Sequence, residues 1–213
     1  MSERRRGILS IISGFSGAGK GTVTRQLIST YPERYRLSVS ATTRNKREGE
    51  IHGTHYFFIN DEEFELMITD GAFLEHAGYV GHFYGTPRHF VEEMLEAGYD
   101  VILEIEQQGA FQVKREMPEA LLIFLTPPTI EELVRRLTGR GTETAEEIEA
   151  RLAQAAVEAE VMDRFDYLVI NDTVSQCVED LHRLIQTEGS RMAFQGNMIM
   201  QLQEQLEPYR KEA

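Results

Sequence analysis

A single cysteine, Cys177, occurs in 213 residues, so no internal disulfide can form, and such sparing use of thiols fits a reducing compartment. Cys177 itself reads as a small buried hydrophobe. Positive charge is also scarce: 22 basic residues stand against 35 acidic ones, a formal charge of −13. That balance excludes a general nucleic-acid binder, because neutralising a phosphate backbone takes a surplus of Lys and Arg. Long hydrophobic runs are missing, and stretches such as 121–125 fall far short of the roughly 18 residues a membrane helix needs. The opening Met-Ser-Glu-Arg-Arg-Arg has no apolar segment of signal-peptide length behind it, since residues 8–12 run at once into a Gly-rich turn. The expectation is a cytoplasmic protein that meets neither nucleic acid nor membrane, with Arg4, Arg5 and Arg6 as a solvated end. Internal repeats and low-complexity linkers are absent as well.

What is present is a chain with 41% apolar residues, long enough to bury one substantial core. Its charge is unevenly placed: residues 1–50 carry 10 basic and 4 acidic side chains, and the remainder nets −19. A small anionic ligand met by the N-terminal quarter is therefore still allowed. Short β-branched runs alternate with amphipathic stretches, predicting strands at 8–13, 37–40, 53–59, 72–80, 100–106, 121–125 and 166–171 and helices at 20–30, 88–97 and 174–188. Asn60 with Glu63, Thr129 with Glu132, and Thr144 with Glu147 have capping-box spacing. Thr86 before Pro87 reads as a helix N-cap and first helical residue, with Gly98 closing that helix. Alternation of this kind predicts an α/β, three-layer fold around a parallel core sheet. Residues 38–88 form a β-rich excursion, a Gly, Thr and Arg loop at 139–151 feeds a further helix, and 192–213 reads as a terminal helix packed on the body or on a second subunit.

The first strand runs into Gly14-Phe15-Ser16-Gly17-Ala18-Gly19-Lys20-Gly21-Thr22 and then into helix. Glycines let a backbone turn at positive φ and bring its N–H groups around phosphate oxygens, the helix N-terminus adds its dipole, and Lys20 supplies a full charge to β and γ phosphates. This pattern reads as a phosphate-binding P-loop. The position after the Lys, usually a hydroxyl that ligates Mg²⁺, is Gly21, and the first hydroxyl is Thr22. Mg²⁺ is then held mostly by phosphates and water, or by another protein oxygen.

Downstream, Ser38-Val39-Ser40-Ala41-Thr42-Thr43-Arg44-Asn45-Lys46-Arg47-Glu48-Gly49-Glu50 leads through Gly53 to Tyr56. Arg44 and Arg47, three apart and beside hydroxyls, suit bidentate capture of a phosphate monoester. With Phe73-Leu74-Glu75, Tyr84-Gly85-Thr86, Glu104-Ile105-Glu106 before Gln108-Gly109, Arg136-Leu137, Gly139 to Glu143, Arg151-Leu152 and Val169-Ile170-Asn171-Asp172, the chain resembles the guanylate kinases over 7–188, leaving 189–213 as a helical extension.

The resemblance implies ATP:GMP phosphotransfer in purine metabolism, with a P-loop core, a GMP-binding region at about 38–88 and a helical lid at about 138–158. Ser40, Glu75 and Thr86 would read guanine, and Arg44, Arg47, Tyr56 and Tyr84 would hold the GMP phosphate. Arg136, Arg140 and Arg151 would come from the lid side onto the transferred phosphoryl, with adenine near Arg140 and Asn171. A carboxylate suits guanine, which offers N1–H and a 2-amino group to one bidentate acceptor, whereas adenine leaves Glu75 underpaired. Thr86 keeps both readings, cap and base contact. Glu104 and Glu106 alternate with apolar residues and so share one face at a strand's C-terminal end, where ligands of open α/β sheets sit; Glu106 would face GMP, and Glu104 or Thr22 the metal. An adenylate kinase shares the Gly-Lys-Gly-Thr form, but the Thr-Thr-Arg segment and Glu75 tell against it. A non-catalytic guanylate-kinase-like module would tend to lose the Lys and glycines retained here.

Overall fold

The computed structural model describes residues 5–79, 81–139 and 144–210. Its first half contains β1 (Leu9–Gly14), α1 (Lys20–Thr30), β2 (Tyr35–Leu37), β3 (Ala41–Thr42), β4 (Phe57–Phe58), α2 (Asp61–Thr69), β5 (Phe73–Tyr79), β6 (His82–Pro87) and α3 (Arg88–Glu96). Then follow β7 (Asp100–Glu104), α4 (Gln107–Glu116), β8 (Leu121–Thr126), α5 (Ile130–Thr138), α6 (Ala145–Ala159), β9 (Tyr167–Ile170), α7 (Val174–Glu188) and α8 (Gly196–Leu206).

Five strands pair in parallel in the order β2-β7-β1-β8-β9. Covered on both faces, β1 is buried at every position, and β8 reads as a nearly unbroken apolar run rather than an alternating one. Val23 and Leu27 of α1 join Cys177, Val178, Leu181 and Ile185 of α7 against Ile12, Ile102 and Ile123. On the opposite face Val91, Leu95, Ala110 and Val113 of α3 and α4 pack on Ile11, Val101 and Leu122. This is the expected three-layer arrangement, and Cys177 is the expected buried hydrophobe, its thiol pushed up to about 12 by burial. Because the strands run parallel, the C-terminal ends of β1, β2 and β7 open on one edge of the sheet, the edge that takes ligands in such folds. A second sheet, β4-β3-β6-β5, forms the β-rich excursion and closes over Phe64 of α2 with Ala41 and Phe73.

Several local expectations change. Only Phe57–Phe58 of 53–59 is strand, and the piece placed at 37–40 lies at Tyr35–Leu37. Thr86 is not a helix cap: it lies in β6, an unforeseen strand, Pro87 takes the N-cap position, and the Thr86 hydroxyl donates to Glu75 instead. Asn60 and Thr144 make full capping boxes. At Thr129 only the hydroxyl half forms, because the Glu132 carboxylate is taken by Arg135 and Arg136. Strand β7 stops at Glu104, so Glu106 is the N-cap of α4 and does not share a strand face with Glu104.

Arg5 is not solvated, as it pairs with the fully buried Asp100 at 3.1 Å. Arg6 reaches Glu119 at 3.3 Å, and Arg4 lies outside the described residues. The tail is not one helix from Met192: a 3-10 turn, Met192–Phe194, seats Phe194 in the core, and α8 starts at Gly196. Helix α8 buries none of its residues, and Met198, Met200, Leu202 and Leu206 are exposed. Among the described residues no helix is long and apolar enough to cross a membrane.

Candidate active site

The loop between β1 and α1 is built by steric necessity. Gly14 has φ +145 and a Cβ on it would lie 2.0 Å from the Leu125 carbonyl oxygen; Gly19 has φ +92 and a Cβ there would lie 2.6 Å from Asn171 Nδ2. Neither position admits a side chain. Phe15, only 3% exposed, anchors the loop edge-on against Phe124 at 5.0 Å. Asn171 Nδ2 donates to the Ala18 carbonyl at 2.8 Å, and Arg136 reaches the same carbonyl at 3.4 Å and that of Asn171 at 2.8 Å. No side chain caps the N-terminus of α1, which leaves its dipole end open to an anion. Lys20 Nζ donates to the Gly14 and Phe15 carbonyls, at 2.6 and 3.3 Å. The lysine thus lies along the loop that would surround a phosphate.

A Cβ on Gly21 would sit 3.3 and 3.6 Å from the two Glu104 carboxylate oxygens. The space that a hydroxyl side chain would use after the P-loop lysine is therefore next to a carboxylate. The Glu104 carboxyl is raised by desolvation, with Lys20 and Arg25 pulling the other way. Thr22 is exposed on the first turn of α1.

Glu104 also lines a cavity of about 280 Å³ with Ser38, Ser40, His55, Tyr56, Thr86, Leu103 and Ile105. Beside it Glu75, 7% exposed, lies directly opposite Thr86 in the β5–β6 register, just after an irregularity between Phe73 and Glu75 that turns the strand. Thr86 Oγ1 donates to Glu75 Oε1 at 2.6 Å. Burial raises the Glu75 carboxyl, and its hydrogen bonds with Thr86 partly offset this. The sheet thus holds a carboxylate out of water with one oxygen already oriented.

Arg44 is engaged by a partner the sequence reading quoted without assigning. Its guanidinium bonds both Glu50 oxygens, at 2.8 and 2.9 Å, and Arg47 donates its backbone N–H to the same carboxylate at 2.7 Å. These contacts, Arg44 first, hold Glu50 down at about 2, and the Glu50 bond raises Arg44 in turn. The Arg44 guanidinium lies 5.3 Å from the Tyr56 ring centroid, and Tyr84 meets Tyr56 edge-on at 6.0 Å. The Arg47 side chain is exposed at the same turn. The motif spacing Arg44 to Glu50 was the available signal for this clamp.

From the other side of the loop, Arg151 on α6 donates to Ser16 Oγ at 3.1 Å, and Arg136 on α5 is paired with Glu132 at 2.6 Å. Arg140 lies outside the described residues. Asn171 is brought to the P-loop, but its amide pins Ala18, and its Oδ1 is buried without a protein partner. Glu106 is exposed at the start of α4. Sequence reading missed Glu158, one helical heptad after Arg151 and so on the same face of α6. It is 4% exposed, its Oε2 has no protein partner, and burial raises it within the fields of Glu106 and Lys20.

The guanylate kinase family model matches residues 6–188. Guanylate kinase of Streptococcus agalactiae serotype III (strain NEM316) is 50% identical over 192 residues, covering 90% of this chain and 91% of that protein. Guanylate kinase of Streptococcus pyogenes serotype M3 (strain ATCC BAA-595 / MGAS315) is 49% identical, covering 90% of each. The crystal structure of guanylate kinase from Anaplasma phagocytophilum superimposes with a TM-score of 0.68 at 31% identity, over 90% of both chains.

Proposed function

The chain belongs to the guanylate kinase family, and from that premise we propose that it transfers the γ-phosphoryl of ATP to GMP, giving ADP and GDP in purine metabolism and GMP recycling. The observation that carries this reading is the buried Glu75, bonded by Thr86, which lines a cavity that also holds Glu104 beside the P-loop.

Guanine is held by Glu75 accepting from N1–H and the 2-amino group, with Ser40 and Thr86 hydroxyls alongside and Glu106 at the mouth. The GMP phosphate takes Arg44, Arg47, Tyr56 and Tyr84, and Arg44 exchanges part of its Glu50 contact for phosphate oxygens. Residues 14–22 cradle ATP, and Lys20 leaves two neutral carbonyls for the β and γ phosphates, a stronger charge-assisted contact. A GMP phosphate oxygen attacks the γ phosphorus as the bond to the ADP oxygen breaks. The acceptor is largely dianionic at neutral pH, its second pKa being about 6, so no general base is needed. The barrier is charge repulsion and positioning, met by Lys20, Arg44, Arg136, Arg140 and Arg151.

The residues present fit Mg²⁺ held mainly by phosphates and water. Among the described residues no group of three or more metal-binding side chains exists, and Glu104 stands where the usual hydroxyl is missing. Glu104 and Thr22 would touch the ion or its waters, and the ion would supply neutralisation of the phosphate charge. The net −13 supports a protein without nucleic-acid partners, and the single cysteine supports a reducing, cytoplasmic setting away from membranes. The exposed apolar residues of α8 support a homodimer.

An ADP-release assay with ATP and either GMP or AMP tests the reading. Turnover with GMP well above that with AMP is expected, and Glu75→Ala should abolish the preference while Lys46→Ala keeps it. Equal turnover on the two acceptors, or an unaffected Glu75→Ala, refutes it.

A further inference from the structure

Glu75 is held on more than one side. One oxygen accepts from Thr86 Oγ1 at 2.6 Å. The other faces the first turn of α4 at a residue without a side chain: a Cβ on Gly109 would stand 3.0 Å from Glu75 Oε2 and 3.4 Å from its carboxyl carbon. The strand cannot slide away from that helix, because the next residue, His76, donates its backbone N–H to Gln112 Oε1 at 3.2 Å, one turn further along α4. Gly109 is buried in a helix, and neither a turn nor a positive φ calls for glycine there. Alanine would favour the helix itself. The glycine is accounted for by what it adjoins.

Resting on the reading of Glu75 as the carboxylate that meets guanine, we propose that Gly109 is a specificity-determining positioning residue. Its missing side chain lets the Glu75 carboxylate seat against the N-terminal turn of α4. The amide of Gly109 precedes the first intrahelical bond, that of Ala110 to the Glu106 carbonyl at 3.0 Å, so the seat is the electropositive end of the helix. That end favours the ionised form that must accept two guanine donors, against the burial that opposes it. A methyl at 109 pushes Oε2 back by a few tenths of an ångström, turning the carboxylate off the plane of the base.

The test uses the full chain and compares GMP with IMP, which lacks the 2-amino group. Gly109→Ala should raise KM for GMP and lower the GMP:IMP ratio of kcat/KM by about tenfold, a modest share of the ~10²-fold that a 1 Å misplacement can cost. KM for ATP should stay unchanged and the melting temperature should not fall. In a Glu75→Asp background, whose shorter side chain stands clear of the methyl, the same substitution should change the ratio by less than about threefold, because residues that act through one another are non-additive. A ratio unchanged by Gly109→Ala overturns the proposal, and so does an equal penalty in the Glu75→Asp background. Failure of both Gly109→Ala forms to fold overturns it too, by making the glycine a purely structural requirement. Glu75→Ala separates the two levels: if it leaves the GMP:IMP ratio intact, the reading of Glu75 itself fails; if it collapses the ratio while Gly109→Ala does not, only the role of Gly109 fails.

Discussion

Replacing Asp100 by Ala should destabilise the fold by several kcal/mol without touching the chemistry. Asp100 is fully buried at the start of β7, at the end of the sheet away from the P-loop. Its Oδ1 accepts from the Ile8 N–H at 2.9 Å, and its Oδ2 from Arg34 at 2.7 Å, Arg5 at 3.2 Å and Gln186 at 3.3 Å. Truncation leaves the Ile8 N–H without a partner in a residue that is 0% exposed, a cost of about 1–3 kcal/mol. It also strips the counter-charge from two arginines. Removing one partner of a fully buried pair costs roughly 3–5 kcal/mol, but these side chains are 18% and 36% exposed and can rehydrate. Discounted for that screening, about 1 kcal/mol for each arginine is the appropriate scale. The sum is about 3–5 kcal/mol. For a chain of this length each kcal/mol moves the melting temperature by about 2–4 °C, so a fall on the order of 10 °C is expected. Asp100→Asn keeps an acceptor for Ile8 and should lose only the arginine share, about 2 kcal/mol. Thermal denaturation and urea unfolding measure both variants, and turnover at low temperature should remain. A loss below about 1 kcal/mol for the Ala variant, or equal losses for Asn and Ala, would show that the buried N–H and the ion pairs are not what Asp100 contributes.

Two further outcomes follow from the same geometry. Burial raises the folded-state carboxyl of Glu75 above its unfolded value, so the native state binds that proton more tightly and the ionised form costs stability at neutral pH. Glu75→Gln should therefore melt higher than the parent at pH 8, with the gap closing as pH falls through the raised value towards 4.5; a gap that widens on acidification contradicts this sign. For the tail, sedimentation should find the full chain as a dimer and a chain ending at Gln195, which keeps Phe194 in the core, as a monomer with GMP turnover retained, since α8 leaves Met198, Leu202 and Leu206 uncovered. A full-length monomer removes the support for association through α8.

Local contests were legible in the sequence, and long-range ones were not. The limits of α1 and α7 fall where periodicity and the flanking residues place them, because each is decided within a turn or two of chain. Thr86 shows why the same reasoning failed elsewhere. As a cap its hydroxyl would accept from a neutral amide, but Glu75 offers a carboxylate, a stronger partner that sits across the sheet and has no local signature. Glu132 likewise leaves Thr129 half-capped for two arginines, and Arg5, expected to be solvated, is held by an aspartate 95 residues away. In each case an ionised group won over a neutral one, and the distance between them in sequence hid the contest. Lys20 and Arg44 stand out by motif and spacing and Glu75 only through the family resemblance, while their neighbours Glu50 and Gly109 take meaning only from the fold.

The same preference for ionised partners explains how an acidic protein can bind two polyanions. Lys20 rests on two carbonyls, and Arg136 divides itself between Glu132 and loop carbonyls. A triphosphate competes well against carbonyls, because it replaces neutral acceptors with charged ones without leaving a buried carboxylate unpaired. Arg44 differs, as it would have to loosen a bidentate Glu50. Glu50 keeps the Arg47 backbone N–H and is 18% exposed, so water can reach it when the guanidinium turns. On the proposed reading, the donor site would exchange its neutral partners at little cost, while the acceptor site would hold Arg44 in place until a dianionic phosphate displaced it from one carboxylate. On that reading a monoanionic acceptor at low pH should compete less well with Glu50 for Arg44, so GMP turnover should fall as pH drops through about 6.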